Sequence, residues 1–144
     1  MKTIGRHLIA EFYGCNSELL DDVDAIRSRL RTAAEVIGAR IVGDTFHHFS
    51  PQGVSGSVVI AESHLSIHTW PETGYVAVDI YTCGGLDPRV GFEYLGHALG
   101  AKSYRVQEII RGLPEDIDTD RPLLPEDVRI LAREVTVTPL APPS

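Results

Sequence analysis

Four strand-like runs follow one another through the middle of this chain, and only a few residues separate each run from the next. They cover Ala39–Phe49, Val54–Ala61, His64–Trp70 and Tyr75–Thr82. The sequences S-P-Q-G and P-E-T-G, which are typical of turns, follow the first and third runs. Links this short join antiparallel neighbours, because parallel strands need a crossover of a dozen or more residues. The spacing therefore predicts one largely antiparallel sheet.

Two helices and two further strands flank these runs. Apolar residues recur every three or four positions over Ser17–Ile37, which predicts an amphipathic helix that Gly38 can end. A second helix should start near Asp87, and strands are predicted over Arg6–Tyr13 and Ser103–Ile110. The order β-α-β-β-β-β-α-β predicts an α+β fold, a two-layer sandwich with both helices on one face of the sheet.

The chain length predicts a single domain. A sequence of 144 residues buries enough surface for one hydrophobic core. Residues 1–111 carry the predicted elements, whereas residues 112–144 are rich in Pro, Asp and Leu and are expected to form an irregular C-terminal extension. Within it, Val128–Val137 is a candidate for a short helix or strand.

Composition narrows the classes of function. The formal net charge of -7 argues against nucleic-acid binding, which needs basic clusters that neutralise phosphates. It is compatible with a cationic substrate, although solubility explains it equally well. Two cysteines are too few for a disulfide framework and fit a reducing compartment. With neither a signal-peptide pattern nor an apolar run of about 20 residues, we expect a cytoplasmic protein without a membrane partner.

The alternation of side chains along a strand predicts one polar face of the sheet. Val76, Val78 and Ile80 alternate with Asp79, Tyr81 and Cys83, and Leu65 and Ile67 alternate with His64, Ser66, His68 and Trp70. Singly, such a His, Ser or Cys is more often structural than catalytic. Together on one face, they indicate a functional site or an interface.

A metal site is a competing interpretation of these residues. His64 and His68 are four positions apart, and His47, His48 and Cys83 could add ligands. On a helix that spacing would bring both rings to one ion. Four residues of strand instead span roughly 13 Å, which is too far for ligand bonds of about 2 Å. No metal is therefore expected.

Nucleophilic catalysis by a Cys–His pair is a second competing interpretation. Spacing leaves it open, because such partners are distant in sequence. It does not account for the E-S-H and W-P-E sequences around residues 62–72. Phosphate-binding loops and dinucleotide fingerprints do not occur in the sequence.

Several separate blocks of the chain resemble the prokaryotic S-adenosylmethionine decarboxylases. The resemblance covers about residues 1–111, and the blocks occur in the order typical of that family. They are G-R-H-L-I-A-E-F-Y-G at Gly5–Gly14, T-F-H-H-F at Thr45–Phe49, G-V-S-G at Gly53–Gly56, E-S-H-L-S-I-H-T-W-P-E at Glu62–Glu72 and T-C-G at Thr82–Gly84.

The resemblance implies that the chain cuts itself between Glu62 and Ser63. In the family the serine hydroxyl attacks the preceding carbonyl, and elimination then leaves a pyruvoyl group, which serves as the cofactor. His68 resembles the base that removes the α-proton of the serine, with Ser55 assisting. The expected products are the chains 1–62 and 63–144.

The resemblance also implies a reaction and a substrate. The pyruvoyl group forms a Schiff base with S-adenosylmethionine, carbon dioxide leaves, and Cys83 resembles the acid that reprotonates the α-carbon. Phe49 and Trp70 are candidates to hold the adenine and its sulfonium neighbourhood, and Glu72 resembles the carboxylate that binds the ribose. The product donates aminopropyl groups in polyamine synthesis, including that of spermidine.

Two other functions remain open at this point. Decarboxylation of free arginine or ornithine would use the same machinery with different pocket contacts. A non-catalytic or metal-binding member would remain a single uncut chain.

The distance between Ser63 and His68 predicts a dimer. Five residues of extended strand separate their α-carbons by roughly 16 Å, so His68 cannot easily reach the serine of its own chain. A two-fold partner could supply it. The sequence therefore predicts a homodimer with two composite sites, unless a tight turn over Ser63–Ser66 folds the strand back.

Overall fold

The computed structural model describes residues 4–117 and the short strand Thr138–Pro139. The strands are β1 Gly5–Tyr13, β2 Arg40–His48, β3 Val54–Ala61, β4 Ser63–Trp70, β5 Tyr75–Cys83, β6 Ser103–Arg111 and β7 Thr138–Pro139. The helices are α1 Ser17–Leu20, α2 Val23–Ile37 and α3 Pro88–Ala98, followed by a 3-10 turn over Pro114–Asp116. The six strands predicted from the sequence are confirmed to within one residue at each end.

The strands form one antiparallel sheet in the order β2-β3-β4-β5-β1-β6-β7. The first strand of the chain thus lies between β5 and β6. Helix α2 packs over β2, β3 and β4, and α3 packs over β1 and β5. The predicted α+β two-layer sandwich is confirmed.

The core lies between the sheet and the helices. Strand β1 buries Leu8, Ala10 and Phe12, because alternate side chains of a strand point to the same face. Helix α2 buries Ile26 and Leu30 at helical spacing in the same core. This packing leaves the other face of the sheet, here called the open face, without a covering helix among the described residues.

The prediction of one helix over Ser17–Ile37 is wrong at Asp21 and Asp22. Asp22 adopts an extended backbone (φ -101°, ψ 100°), and its side chain accepts a hydrogen bond from the N–H of Ala25, which starts α2. An aspartate that caps a helix competes with continuation of the preceding one. The apolar spacing continues across the break, so the pattern does not reveal it.

The C-terminal extension is described only in part. The backbone of β7 pairs with Ser103 and Tyr104 at the start of β6. The candidate element Val128–Val137 lies outside the described residues. None of the helices within residues 4–117 has the length and apolar character needed to cross a bilayer.

Gly56 leaves space for the ring of Phe46 on the helix side of the sheet. A Cβ at this position would overlap Cδ1 of Phe46, whereas a Cβ at Gly43 would meet nothing within 4 Å. We expect Gly56→Ala to lower the free energy of unfolding by about 1–3 kcal/mol, because the Phe46 ring must move. Gly43→Ala is the control, and thermal unfolding of both proteins is the measurement. Equal melting temperatures would contradict the steric argument.

Candidate active site

The open face carries the polar side chains that the alternation predicts. Residues that lie opposite each other on neighbouring strands have their side chains side by side on this face. Its polar and aromatic members include His7, Glu11, His47, Ser55, Ser57, His64, Ser66, His68, Trp70, Asp79, Tyr81 and Arg105. The predicted separation into an apolar and a polar face is confirmed.

Ser63 lies at a hairpin end, where β3 turns into β4. The last paired residues of the two strands are Ile60 and Ser63, so the Glu62–Ser63 peptide bond belongs to the tight turn. The Ser63 Oγ lies 3.5 Å from the Sγ of Cys83, the last residue of β5. The fold thus brings together a hydroxyl and a thiol that are 20 positions apart.

Ser55 and His68 form a second pair on the open face. They are directly opposite each other in the β3–β4 register, and the Ser55 Oγ lies 2.8 Å from Nδ1 of His68. A hydrogen bond to one ring nitrogen orients the imidazole and leaves Nε2 for proton transfer. The sequence predicted a joint role for the two residues, but the contact itself depends on the register.

The two pairs lie toward opposite ends of β4. This strand runs unbroken from Ser63 to Trp70 and pairs with both neighbours, so the alternative of a tight turn over Ser63–Ser66 is wrong. Five residues of strand separate Ser63 from His68 by roughly 16 Å. In one chain, the serine that should be cut and its candidate base do not meet.

The three predicted substrate-binding residues lie at the end of the sheet near His68. Phe49 is in the β2–β3 loop, Trp70 ends β4, and Glu72 is in the β4–β5 turn. The loop and the turn are neighbours, because a Cβ on Gly53 would lie 3.9 Å from Cδ of Pro71. The two aromatic side chains are 47% and 41% exposed, so both offer ring surface to a ligand.

A network of aromatic and acidic groups fixes Trp70. Its ring centroid lies 5.0 Å from that of Tyr75, which in turn stacks on Tyr13 at 5.7 Å. Both tyrosine hydroxyls donate hydrogen bonds to Glu11, at 2.6 Å from Tyr75 and 2.7 Å from Tyr13. The hydrogen bond from Tyr75, and after it the one from Tyr13, holds the pKa of Glu11 below its usual value. Burial raises the pKa of Tyr75.

A groove of about 510 Å³ crosses the open face beside this network, lined in part by Glu11, Asp79 and Arg105. Asp79 accepts a hydrogen bond from Ser66 at 3.3 Å, and its other oxygen lies 3.2 Å from Nε2 of His7. The groove therefore carries charged, hydrogen-bonded side chains beside apolar ones such as Ile9 and Ala77.

Two polar residues that β1 places on this face, His7 and Glu11, were not predicted from the sequence. They alternate with the buried Leu8, Ala10 and Phe12 along β1. The same period of two that predicted the faces of β4 and β5 could have placed them on the open face.

The adjacent histidines of the T-F-H-H-F block point to opposite faces of the sheet. His47 lies opposite Ser55 in register on the open face, whereas Nε2 of His48 lies 2.8 Å from Asp21 at the start of the helix layer. Among residues 4–117, no three His, Cys, Asp or Glu side chains come close enough to hold a metal ion.

Fold and site together define an α+β protein with hydroxyl, thiol and imidazole groups on one polar sheet face, the features of an enzyme. A model of the S-adenosylmethionine decarboxylase family matches residues 6–112. The chain is 53% identical over 118 residues to the S-adenosylmethionine decarboxylase proenzyme of Thermosipho melanesiensis, covering 81% of this chain and 91% of that protein. It is 53% identical over 128 residues to the proenzyme of the same name from Thermotoga maritima, covering 88% and 95%.

A solved structure agrees with these sequence matches. The crystal structure of the adenosylmethionine decarboxylase from Aquifex aeolicus superposes with a TM-score of 0.73 at 35% identity, covering 83% of this chain and 99% of that one. The chain belongs to the S-adenosylmethionine decarboxylase family.

Proposed function

We propose that this protein decarboxylates S-adenosylmethionine, and so supplies the aminopropyl donor for polyamine synthesis, with a pyruvoyl group made from its own Ser63. Membership of the family supports the reaction. The observation that carries the proposal is the 3.5 Å approach of the Ser63 hydroxyl to the Cys83 thiol at a hairpin end. This places the residue to be converted next to a group that can transfer a proton.

The self-cleavage uses only side chains of the homodimer itself. The Ser63 hydroxyl adds to the carbonyl carbon of Glu62, and the C–N bond breaks to leave an ester. Removal of the Ser63 α-proton by His68 then expels the Glu62 carboxylate by β-elimination. The resulting dehydroalanine tautomerises and takes up water, which releases ammonia and leaves a ketone at the head of the chain 63–144.

The residues around Ser63 fit a pyruvoyl group. Once formed, the group supplies a carbonyl that binds the substrate amine and accepts electrons as carbon dioxide leaves. Ser63 is the first residue of a strand paired on both sides, so its backbone stays held after the cut. The Cys83 thiol lies 3.5 Å from its hydroxyl.

The other residues bind the substrate and move protons. Cys83 returns a proton to the α-carbon after carbon dioxide leaves. Phe49 and Trp70 bind the adenine and the sulfonium region by stacking and cation–π contact, and Glu72 accepts hydrogen bonds from the ribose hydroxyls.

The active unit is a homodimer with two composite sites. Each chain has the Ser63–Cys83 pair toward one end of β4 and the Ser55–His68 pair toward the other. A two-fold axis between two open faces pairs each end of β4 with the opposite end of the partner's β4.

The catalytic domain is residues 1–111, cleaved after residue 62, and residues 112–144 are an extension. Two free thiols among the described residues fit a reducing compartment, and we place the protein in the cytoplasm.

Release of labelled carbon dioxide tests the proposed reaction. We expect release from carboxyl-labelled S-adenosylmethionine and none from labelled arginine or ornithine.

The role of Cys83 is tested by substitution. Cys83→Ala should lower kcat by about 10²–10³-fold, because the group that returns the proton is lost and a positioned acid contributes a rate factor of this size. Self-cleavage should stay intact. Cys15→Ala, at the buried thiol of the helix side, is the control. Equal turnover of arginine would overturn the substrate assignment, and full activity of Cys83→Ala would overturn its role.

A further inference from the structure

One carboxylate oxygen holds both ends of the β2–β3 loop. Oδ1 of Asp21 accepts a hydrogen bond from the Gly53 N–H at 2.9 Å and lies 2.8 Å from Nε2 of His48. His48 is the last residue of β2, and Gly53 immediately precedes β3. Asp21 therefore binds the loop where it leaves the sheet and where it returns.

The loop held in this way carries Phe49. The Phe49 N–H donates a hydrogen bond to the Gly53 carbonyl at 2.8 Å, which closes the loop on itself. Gly53 has φ +105°, a conformation that side chains rarely adopt. The backbone of Phe49 is thus hydrogen-bonded to the residue that Asp21 holds, while Phe49 itself is 47% exposed.

Asp21 itself has a fixed position in the helix layer. Its backbone N–H caps α1 by donating to the Glu18 carbonyl at 3.3 Å, and the neighbouring Leu20 carbonyl accepts a hydrogen bond from Thr69 in β4 at 2.7 Å. The hydrogen bonds from the Gly53 N–H and from His48 lower the pKa of the Asp21 carboxyl. It is therefore an anion at neutral pH.

We propose that Asp21 is a positioning residue for substrate binding, which sets the place of Phe49 by holding both ends of the β2–β3 loop. This rests on the proposed function, because Phe49 serves there as a ligand-binding ring. Asp21 contacts no reacting group. Its substitution should therefore change binding of the substrate more than the chemical step.

Amide hydrogen exchange tests the loop contact without any substrate. In Asp21→Ala, we expect amide exchange at Phe49 and Gly53 to accelerate about tenfold. The loop can then open without first breaking the hydrogen bonds to the Asp21 carboxylate. The matched control is Asp22→Asn, which alters the next carboxylate, the cap of α2. Exchange in β5 reports folding in both proteins. Unchanged exchange of the loop in Asp21→Ala would overturn the proposal.

Kinetics test whether the loop contact serves the substrate. We expect Asp21→Ala to raise KM for S-adenosylmethionine about tenfold with kcat within about twofold and complete self-cleavage. Asp21→Asn keeps an oxygen acceptor for Gly53 and should raise KM about threefold. In a Phe49→Ala background, Asp21→Ala should add nothing, because residues that act through one another are not additive.

The outcomes separate the two proposals. If the KM of the double variant equals the product of the increases in Asp21→Ala and Phe49→Ala, Asp21 does not act through Phe49. An unchanged KM in Asp21→Ala would overturn the proposal as well. A wild-type protein that releases no carbon dioxide from S-adenosylmethionine would refute the proposed function. The exchange measurement would still decide whether Asp21 orders the loop.

Discussion

The Ser63→Ala protein is expected to remain one uncut chain of 144 residues and 15.8 kDa, with no decarboxylase activity. Alanine has no hydroxyl to attack the Glu62 carbonyl, so neither the ester nor the ketone can form. The wild-type protein should instead give two chains, residues 1–62 and 63–144. Intact-mass spectrometry under denaturing conditions distinguishes the two results directly, and the loss of activity should be complete rather than partial.

Ser66→Ala is the matched control for this substitution. Ser66 lies on the same strand and donates a hydrogen bond to Asp79, but it does not contact Cys83 in the described structure. Its removal should leave cleavage intact. An active wild-type protein that is a single chain with an unmodified serine at position 63 would refute the self-cleavage.

Mixed dimers of Ser63→Ala and His68→Ala chains should recover cleavage, although neither protein is cleaved alone. In one of the two sites of such a dimer, Ser63 of the second chain meets His68 of the first. The other site carries both substitutions and stays inactive. The physical reason is the unbroken strand β4, which separates the two residues of one chain by roughly 16 Å.

Two affinity tags allow the mixed dimer to be purified after co-expression. We expect the His68→Ala chains in it to be cut and the Ser63→Ala chains to stay whole, as mass spectrometry can show. Separately expressed proteins that are mixed only after denaturation provide the control. If no chain of the mixed dimer is cut, the two residues act within one chain and the composite site is wrong.

The sequence predicted the faces of the sheet because burial requires strict alternation. Leu65 and Ile67 must enter the core together, so His64, Ser66 and His68 must share the open face. Turn residues such as Gly53 and Gly74 marked where the chain reverses.

Other features could not be predicted, because they depend on register or on one local hydrogen bond. The Ser55–His68 contact follows from which residues of β3 and β4 lie opposite each other, and a strand pattern alone does not fix this. The break between α1 and α2 follows from the capping bond of Asp22. The hydrogen bond from the Gly53 N–H to Asp21 joins residues that are 32 positions apart, and no spacing rule connects them.

The strand order has a consequence for the proposed cleavage between Glu62 and Ser63. Strands β1, β2 and β3 belong to the piece that ends at Glu62, whereas β4, β5 and β6 belong to the other piece. In the sheet, β1 lies between β5 and β6, and β3 lies beside β4. The two polypeptides are therefore interleaved, and one cannot dissociate without dismantling the hydrogen-bond ladders of the other. Once unfolded, they must find each other by diffusion, so reassembly becomes a bimolecular process that slows on dilution, while the uncut precursor refolds as one tethered unit.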